Sequence, residues 1–393
     1  MLKGFVGFLR SSLQPSRLSF VPTMISNASG NSGDQDSRSS SNPHSTLKKY
    51  LLLSSLGYYT TLKDEEVKCF FNSFAKNDVK HRAHLNQYPA NKPVEDRWAI
   101  GNLVNAEGFV AAVFDGHGGW QVAEFVSKSL IPTIDFELSQ MKSSPGKTVE
   151  EALTEAFRKV EEKFSEFAKE GYLMGFETMS KVGACALVAV VMNDDLFVAN
   201  LGDSQGVLLS PFAPVKVTKL NKKLNANSKK VQAALKAQFP KDDKIVVCKR
   251  AKVCYVKGRL QPTHSFGDLG LKDPFFNNPT VNPRLKIENF AGPYISITPE
   301  IRKFKITKDT EGFLLATDGL WDQLKAPDVL EVFEKSGRKG DRFIKLLNEA
   351  ALKHAAEEKG MTYQELLKLE QGNRRSTHDD ITMVYINLKN QVG

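Results

Sequence analysis

The stretch from Ala184 to Leu209 leaves a chain few ways to fold. Three apolar runs follow one another there: ACALVAVVM (Ala184–Met192), Leu196–Ala199 and Val207–Leu209. Each reads as a buried strand. Asn193-Asp194-Asp195 joins the first two, and Gly202-Asp203-Ser204 lies at the second joint. A parallel crossover needs a dozen or more residues, so joints this short predict antiparallel hairpins. Helical periodicity lies elsewhere. It marks Trp120–Ile134 and, most clearly, Thr148–Lys169, where Val149, Leu153, Ala156, Phe157, Val160, Phe164 and Phe167 recur at three and four. Thr148-x-x-Glu151 is a capping box, and Gly171 is the expected stop. Further helical patterns cover Ser228–Phe239, Ala326–Lys335 and Arg342–Glu358, and Thr362-x-x-Glu365 opens a short one. Ile381–Leu388 reads as the last strand. Strand clusters with helices grouped between them, not strict βαβ alternation, predict an α+β layered fold.

The chain divides by composition. Met1–Met24 carries Lys3, Arg10 and Arg17, four serines and no acid, with Leu2, Phe5, Phe8 and Leu9 at helical spacing. This resembles a mitochondrial transit peptide, and Ser26–Ser45 reads as a Ser/Asn/Gly-rich linker. Residues 1–46 are therefore set apart from a globular domain at 47–390, in which Leu51–Thr61 is an early strand or packing segment. A mitochondrial matrix address is the expectation, with the cytoplasm as alternative. No run reaches the roughly 18 apolar residues of a membrane span. Cys69, Cys185, Cys248 and Cys254 show neither CxxC nor zinc spacing. Cys185 reads as a core residue, and a reducing compartment is expected.

Acids mark the ends of the apolar runs. Phe109–Phe114 stops at Asp115-Gly116-His117-Gly118-Gly119, a turn in which glycine lets a ligand approach the backbone. FLLATD ends in Asp318 and VANLGD in Asp203. Glu95 and Asp96 precede one possible strand, and Asp379-Asp380 another. Several carboxylates converge at one end of a sheet only if a cation holds them, because bare like charges raise each other's pKa. Oxygen-only ligands favour Mg²⁺ or Mn²⁺. Two such ions about 3.5–4 Å apart clamp the attacking and leaving oxygens of a phosphoryl transfer, and an adjacent His supplies the leaving group's proton.

Six motifs occur in one order: Val94-Glu95-Asp96, Val113-Phe-Asp-Gly-His-Gly-Gly119, Ala199-Asn-Leu-Gly-Asp-Ser204, Ser265-Phe-Gly-Asp268, Leu315-Ala-Thr-Asp-Gly-Leu-Trp-Asp322 and Asp379-Asp-Ile-Thr382. Together they resemble the type 2C, metal-dependent protein serine/threonine phosphatases. The resemblance implies a four-layer αββα sandwich of two antiparallel sheets. It implies hydrolysis of phosphoserine and phosphothreonine by a hydroxide bridging two Mg or Mn ions. Asp115 would bridge the ions, Glu95 and the Gly116 carbonyl serving one, Asp318 and Asp379 the other. Asp96 would hold metal waters, Asp203 would contribute to a weaker third ion, and His117 would be the general acid. Tyr88-Pro-Ala-Asn-Lys-Pro-Val-Glu-Asp96 and Val256-Lys-Gly-Arg-Leu-Gln-Pro262 resemble the mitochondrial pyruvate dehydrogenase phosphatase branch, which implies that complex as the partner. Asn91 and Gln205 stand where most members carry Arg. Thr263-His264 replaces the usual Arg-Ala, and Leu224 the usual His.

Lys216–Lys257 holds thirteen Lys and Arg against Asp242 and Asp243, a larger surplus than the whole chain's +9. It is read as a docking surface for an anionic phosphoprotein. Only Phe239 and Tyr255 offer stacking faces there, so nucleic acid is not the expected partner. Two other readings stay open on sequence alone: a family member without turnover that serves as a phosphoprotein scaffold, and a hydrolase of another phosphoester.

Overall fold

Strands buried on both faces must lie between two other layers, and the apolar runs of this chain do so. The computed structural model describes residues 79–210, 216–249, 253–277 and 287–389, all within the unit spanning residues 68–393. The N-terminal segment and Leu51–Thr61 lie outside the described residues. One antiparallel sheet has the order β1 (Ala83–Tyr88), β13 (Ile381–Asn387), β12 (Gly312–Ala316), β6 (Gln205–Ser210), β7 (Lys216–Lys219). The second has the order β11 (Glu300–Lys305), β5 (Asp195–Leu201), β4 (Gly183–Met192), β3 (Phe109–His117), β2 (Arg97–Asn102), with β10 (Phe266–Gly267) paired to the start of β4. A separate hairpin joins β8 (Val246–Cys248) to β9 (Cys254–Val256).

Alternation along β3 explains the layers. Val110, Ala112 and Phe114 pack with Leu130, Phe157 and Phe164 of helices α1 (Gln121–Ser139) and α2 (Val149–Leu173). Ala111 and Val113 point the other way, against Phe313, Leu315, Val384 and Ile386 of the facing sheet. Beyond that sheet, Leu314, Met383 and Tyr385 meet Phe333, Phe343 and Leu347. These last belong to helices α4 (Ala326–Lys335) and α5 (Gly340–Glu358), and α6 (Tyr363–Lys368) packs beside them. The result is the αββα sandwich. Helix α3 (Lys229–Gln238) and the β8–β9 hairpin enclose a small core of their own, in which Leu235, Ile245 and Val256 pack with Tyr294 and Ile295.

Helix α2 forms as its sequence dictates. The Thr148 hydroxyl accepts from the Glu151 amide, and the Glu151 carboxylate accepts from the Thr148 amide at 2.8 Å, a cap worth about 1 kcal/mol. The helix runs through Gly171, which is buried, and ends at Leu173. Gly175, with φ +91°, makes the stop expected of Gly171.

Three local expectations need correction. The Asp115-Gly116-His117 segment is not a turn. It continues β3, paired with Cys185, Ala184 and Gly183. The joint at Gly202–Ser204 is not a hairpin, because β5 and β6 lie in different sheets. Gly202 takes φ +130°, turned out of one sheet and toward the other, with its Cα against the Cys185 side chain. Finally, Cys248 and Cys254, whose spacing suggested no pairing, form a disulfide across the β8–β9 hairpin, where they are directly opposite in register. Their six-residue separation hides a pair that the hairpin brings together.

Candidate metal centre and active site

Both sheets contribute to one acidic cluster. Alternation puts Asp115 on the face of β3 that carries Ala111 and Val113, so it looks into the gap between the sheets. Asp318 begins a single helical turn, Asp318–Trp321, just past β12. Asp203 sits where the chain crosses from β5 to β6. One carboxylate oxygen from each of these three residues lies within 4.8 Å of the others. The Asp318 amide donates to Asp115 Oδ2 at 3.3 Å. Asp203 is held from two sides, by Asn225 Nδ2 at 2.6 Å and the Cys185 thiol at 3.3 Å. Gly116 is the strand residue after Asp115. A Cβ there would stand 2.4 Å from the Glu95 carbonyl oxygen, so only glycine lets the Glu95 segment lie this close.

The other acids form a second group around Asp380. Its Oδ1 accepts from the amides of Ala90 (2.6 Å) and Asn91 (2.8 Å), and its Oδ2 from the amide of Glu95 at 2.8 Å. Asn91 Nδ2 donates to Asp379 Oδ1 (2.9 Å) and Asp380 Oδ2 (3.1 Å). Both its amide hydrogens are thus engaged in holding acids. Asp96 is buried and accepts from the Thr317 hydroxyl at 2.8 Å, and that hydroxyl accepts from the Thr382 amide at 3.0 Å. Arg375 pairs with Asp379 at 2.8 Å, and Lys223 reaches Asp322 at 3.4 Å.

Crowding shows in the proton affinities. Burial, then the charges of Asp318, Asp96 and Asp203, hold the Asp115 carboxyl well above the usual carboxylate range. Burial and then Asp203, Asp322 and Asp379 push Asp318 up to about 8. Asp96 is raised by burial and Asp380, and Glu95 by burial, Asp379 and Asp380. Carboxylates packed this way are a poor arrangement for a protein alone and a good one for a hard divalent cation. The donor set, all oxygen, fits Mg²⁺ or Mn²⁺.

His117 lies at the end of β3, with its Nε2 2.8 Å from Asp268 Oδ2. Burial lowers its proton affinity. The charge and hydrogen bond of Asp268, with Asp203 and Glu95, outweigh that and leave it raised. The raised proton affinity favours the imidazolium form, which suits proton donation.

Of the residues singled out in the sequence, Asp115, Asp203 and Asp318 form the three-carboxylate cluster. Glu95, Asp96 and Asp379 are close enough to perturb it or one another electrostatically. Sequence reasoning assigned no role to Asp380, Thr317, Asn225 or Asp268. Asp380 and Asp268 were visible in Asp379-Asp-Ile-Thr382 and Ser265-Phe-Gly-Asp268, whereas Asn225 and Thr317 carry no local signal. Asn91 and Leu224, noted as departures, are a clamp for Asp379 and a buried residue whose amide donates to the Gly202 carbonyl at 2.9 Å. His264 is mostly buried. Burial and the nearby Lys272 lower it to about 4, so it is neutral.

Comparison with known proteins places this geometry. The family profile described as "Protein phosphatase 2C" matches residues 90–360. A protein of Arabidopsis thaliana, "Probable protein phosphatase 2C 48", is 36% identical over 71% of this chain and 72% of its own length. "Probable protein phosphatase 2C 72" of Oryza sativa subsp. japonica is 32% identical over 72% of this chain and 71% of its own. The fold is similar to the crystal structure of serine-threonine phosphatase 2C from Toxoplasma gondii, with a TM-score of 0.57 and 17% identity. That match covers 78% of this chain and 94% of the other.

Proposed function

From the premise that this chain belongs to the protein phosphatase 2C family of Mg/Mn-dependent serine/threonine phosphatases, we propose that it hydrolyses phosphoserine and phosphothreonine in proteins at the cluster of Asp115, Asp203 and Asp318. The observation that carries this reading is the convergence of those three carboxylates from two sheets within 4.8 Å. Asp115 would serve both ions, with Glu95 and the Gly116 carbonyl helping to hold one and Asp318 and Asp379 the other. Asp96 orients water at the site, and Asp203 with Asp318 serves a weaker third ion. Bound there, the cations supply an activated water and offset the charge of the phosphoryl oxygens. The protein's own part is positional. Asp380 fixes the segment carrying Glu95, Thr317 fixes Asp96, and His117 gives a proton to the departing side-chain oxygen.

The substrate's approach is assigned to the basic segment. Lys222, Lys229, Lys230 and Lys236 are exposed along α3 and the irregular segment leading to it. A groove of about 650 Å³ runs between α3 and the body of the domain, lined by Lys222, Lys223, Lys230 and Lys272 and equally by Glu161, Glu162, Asp273 and Glu300. Leu224 and Asn225, in this segment, touch Gly202 and Asp203, so the groove abuts the carboxylates. An acidic phosphoprotein segment fits the exposed lysines of α3 and of the segment before it rather than the groove itself, whose charges balance, and that attraction offsets repulsion by the acids of the centre. The transit-like composition of residues 1–46 and the stretches resembling the pyruvate dehydrogenase phosphatase branch support a mitochondrial phosphoprotein, that complex included, as the substrate.

The test is dephosphorylation of a phosphoserine peptide by the full chain with Mn²⁺, with Mg²⁺ and with EDTA. Metal-dependent release of phosphate is expected. Peptide binding without release under any metal would favour a scaffold, and release from nucleotides but not peptides another phosphoesterase.

A further inference from the structure

The bond between His117 and Asp268 is built with more care than a surface ion pair. Asp268 is buried, and its Oδ2 accepts two donors, His117 Nε2 at 2.8 Å and the Ser265 hydroxyl at 2.5 Å. Its amide donates to the Val182 carbonyl at 2.9 Å. Its backbone lies in the left-handed region, at φ 51°, which turns the side chain back toward β3. Three strands meet at this point: Gly183 of β4 stands opposite His117 of β3 on one side and Gly267 of β10 on the other. A Cβ on Gly183 would lie 2.2 Å from Asp268 Oδ2 and 2.4 Å from His117 Nε2. The space of a missing methyl group is the space this hydrogen bond occupies. Behind it, Glu161 accepts from the Gly267 amide at 2.9 Å and pairs with Lys272, and Lys272 donates to the Ser265 carbonyl at 2.6 Å. His117 Nδ1 has no hydrogen-bond partner among the described residues.

We propose that Asp268 is the positioning residue of the general acid: it holds the Nε2 proton of His117, through a cradle that requires glycine at position 183, and so assigns Nδ1 as the nitrogen that protonates the leaving group. The inference rests on the phosphatase reading above. In the step, the bond from phosphorus to the serine or threonine oxygen breaks as water's oxygen bonds to phosphorus, and one of water's protons is released to solvent. The proton on Nδ1 passes to the departing oxygen. His117 is left neutral, with its Nε2 proton still shared with Asp268, and a proton from solvent restores Nδ1. Ser265 keeps Asp268 turned toward His117 by occupying the same oxygen from the other side.

The experiment compares two substrates, a phosphoserine peptide, whose alkoxide needs a proton, and p-nitrophenyl phosphate, whose phenolate leaves without one. Asp268→Asn preserves size, and Asn is well tolerated at a left-handed backbone position. With saturating Mn²⁺, Asp268→Asn is expected to lower kcat on the peptide by at least about 10-fold and His117→Ala by about 10²–10⁴-fold. In both variants the aryl ester should lose much less than the peptide. The double variant should be no slower than His117→Ala, because the two residues act as one unit. Gly183→Ala, which crowds the pair without altering either charge, should show the same selective loss. Equal losses on both substrates, or losses that multiply in the double variant, would overturn the assignment. A second readout does not depend on turnover. Histidine ¹⁵N NMR of the full chain should show a protected proton on His117 Nε2 that is lost or exchange-broadened in Asp268→Asn. If that signal is absent from wild type, the positioning role fails even where the enzyme is active. If it is present in an inactive wild type, the fault lies in the phosphatase reading.

Discussion

The carboxylate of Asp380 closes on the backbone amide of Glu95 at 2.8 Å, 285 residues away in sequence. The same carboxylate takes the amides of Ala90 and Asn91. A segment without helix or strand, from Ala90 to Asp96, is thereby pinned from below, and Glu95 is presented from it. Asp380→Ala removes four hydrogen bonds from a buried position. It is expected to cost about 3 kcal/mol, to lower Tm by several degrees, and to raise the Mn²⁺ concentration needed for half-maximal activity. A variant with normal metal dependence would show that Glu95 does not need this clamp.

Asp115→Asn should abolish activity while leaving the fold intact. The residue accepts from the Asp318 amide and faces three other acids, so the neutral side chain relieves repulsion in the ion-free protein. Its Tm in EDTA is predicted to equal or exceed that of wild type, and addition of Mn²⁺ should raise it less than in wild type. Retention of more than a few per cent of wild-type activity at saturating Mn²⁺ would exclude the bridging role.

The ion-free protein carries a pH signature. Asp318 is raised to about 8 in the folded state, by burial first and then by Asp203, Asp322 and Asp379, against about 4 unfolded. The folded state therefore binds an extra proton between these values. Its stabilising effect is complete below the unfolded pKa and is lost as pH rises through the folded one. In EDTA, Tm should fall between about pH 4 and about pH 8, and saturating Mn²⁺ should flatten that slope. A flat profile in EDTA would mean that the acids are not crowded as described.

Charge reversal at Lys222, Lys229 and Lys230 tests the basic face. Lys223 is spared because it pairs with Asp322. Activity on an acidic phosphoprotein should fall through kcat/KM and lose much of its salt dependence, and turnover of a small aryl phosphate should change little. Parallel changes on both substrates, or none, would remove the docking role.

Residues 1–46 fused to a fluorescent reporter are expected to reach mitochondria, and replacing Arg10 and Arg17 by Gln should prevent it. A cytosolic wild-type fusion would withdraw the address and, with it, the main support for a mitochondrial substrate.

Much of this was readable from one sequence because local rules and the fold agree. The continuous apolar run Phe109–Phe114 of β3 predicted a buried strand ending in an acid, and the caps at Thr148 and Thr362 formed as written. What could not be read depends on distant parts of the chain meeting. Gly202–Ser204 looks like a hairpin turn, because nothing local says that β6 pairs with β12, more than a hundred residues on. Asp268 looked like one letter of a motif. Its purpose appears only when β10 pairs with β4 and brings it beside His117, 151 residues earlier. The Cys248–Cys254 pair likewise needed the hairpin that joins it. Asn91 was read against the Arg of relatives, and its actual task, gripping Asp379 and Asp380, lies in contacts nearly 290 residues apart.

Asp115 ends a strand of one sheet, and Asp318 follows a strand of the other. The distance between their carboxylates is therefore set by what fills the gap behind them, Val113, Leu187, Leu315 and Val384 among others. A methyl group added or removed in that layer shifts one sheet on its neighbour by a fraction of an ångström, since packed interiors transmit strain rather than absorb it. Ions of slightly different radius feel such a shift directly. A preference between magnesium and manganese at this centre would therefore respond to hydrophobic side chains that touch neither ion.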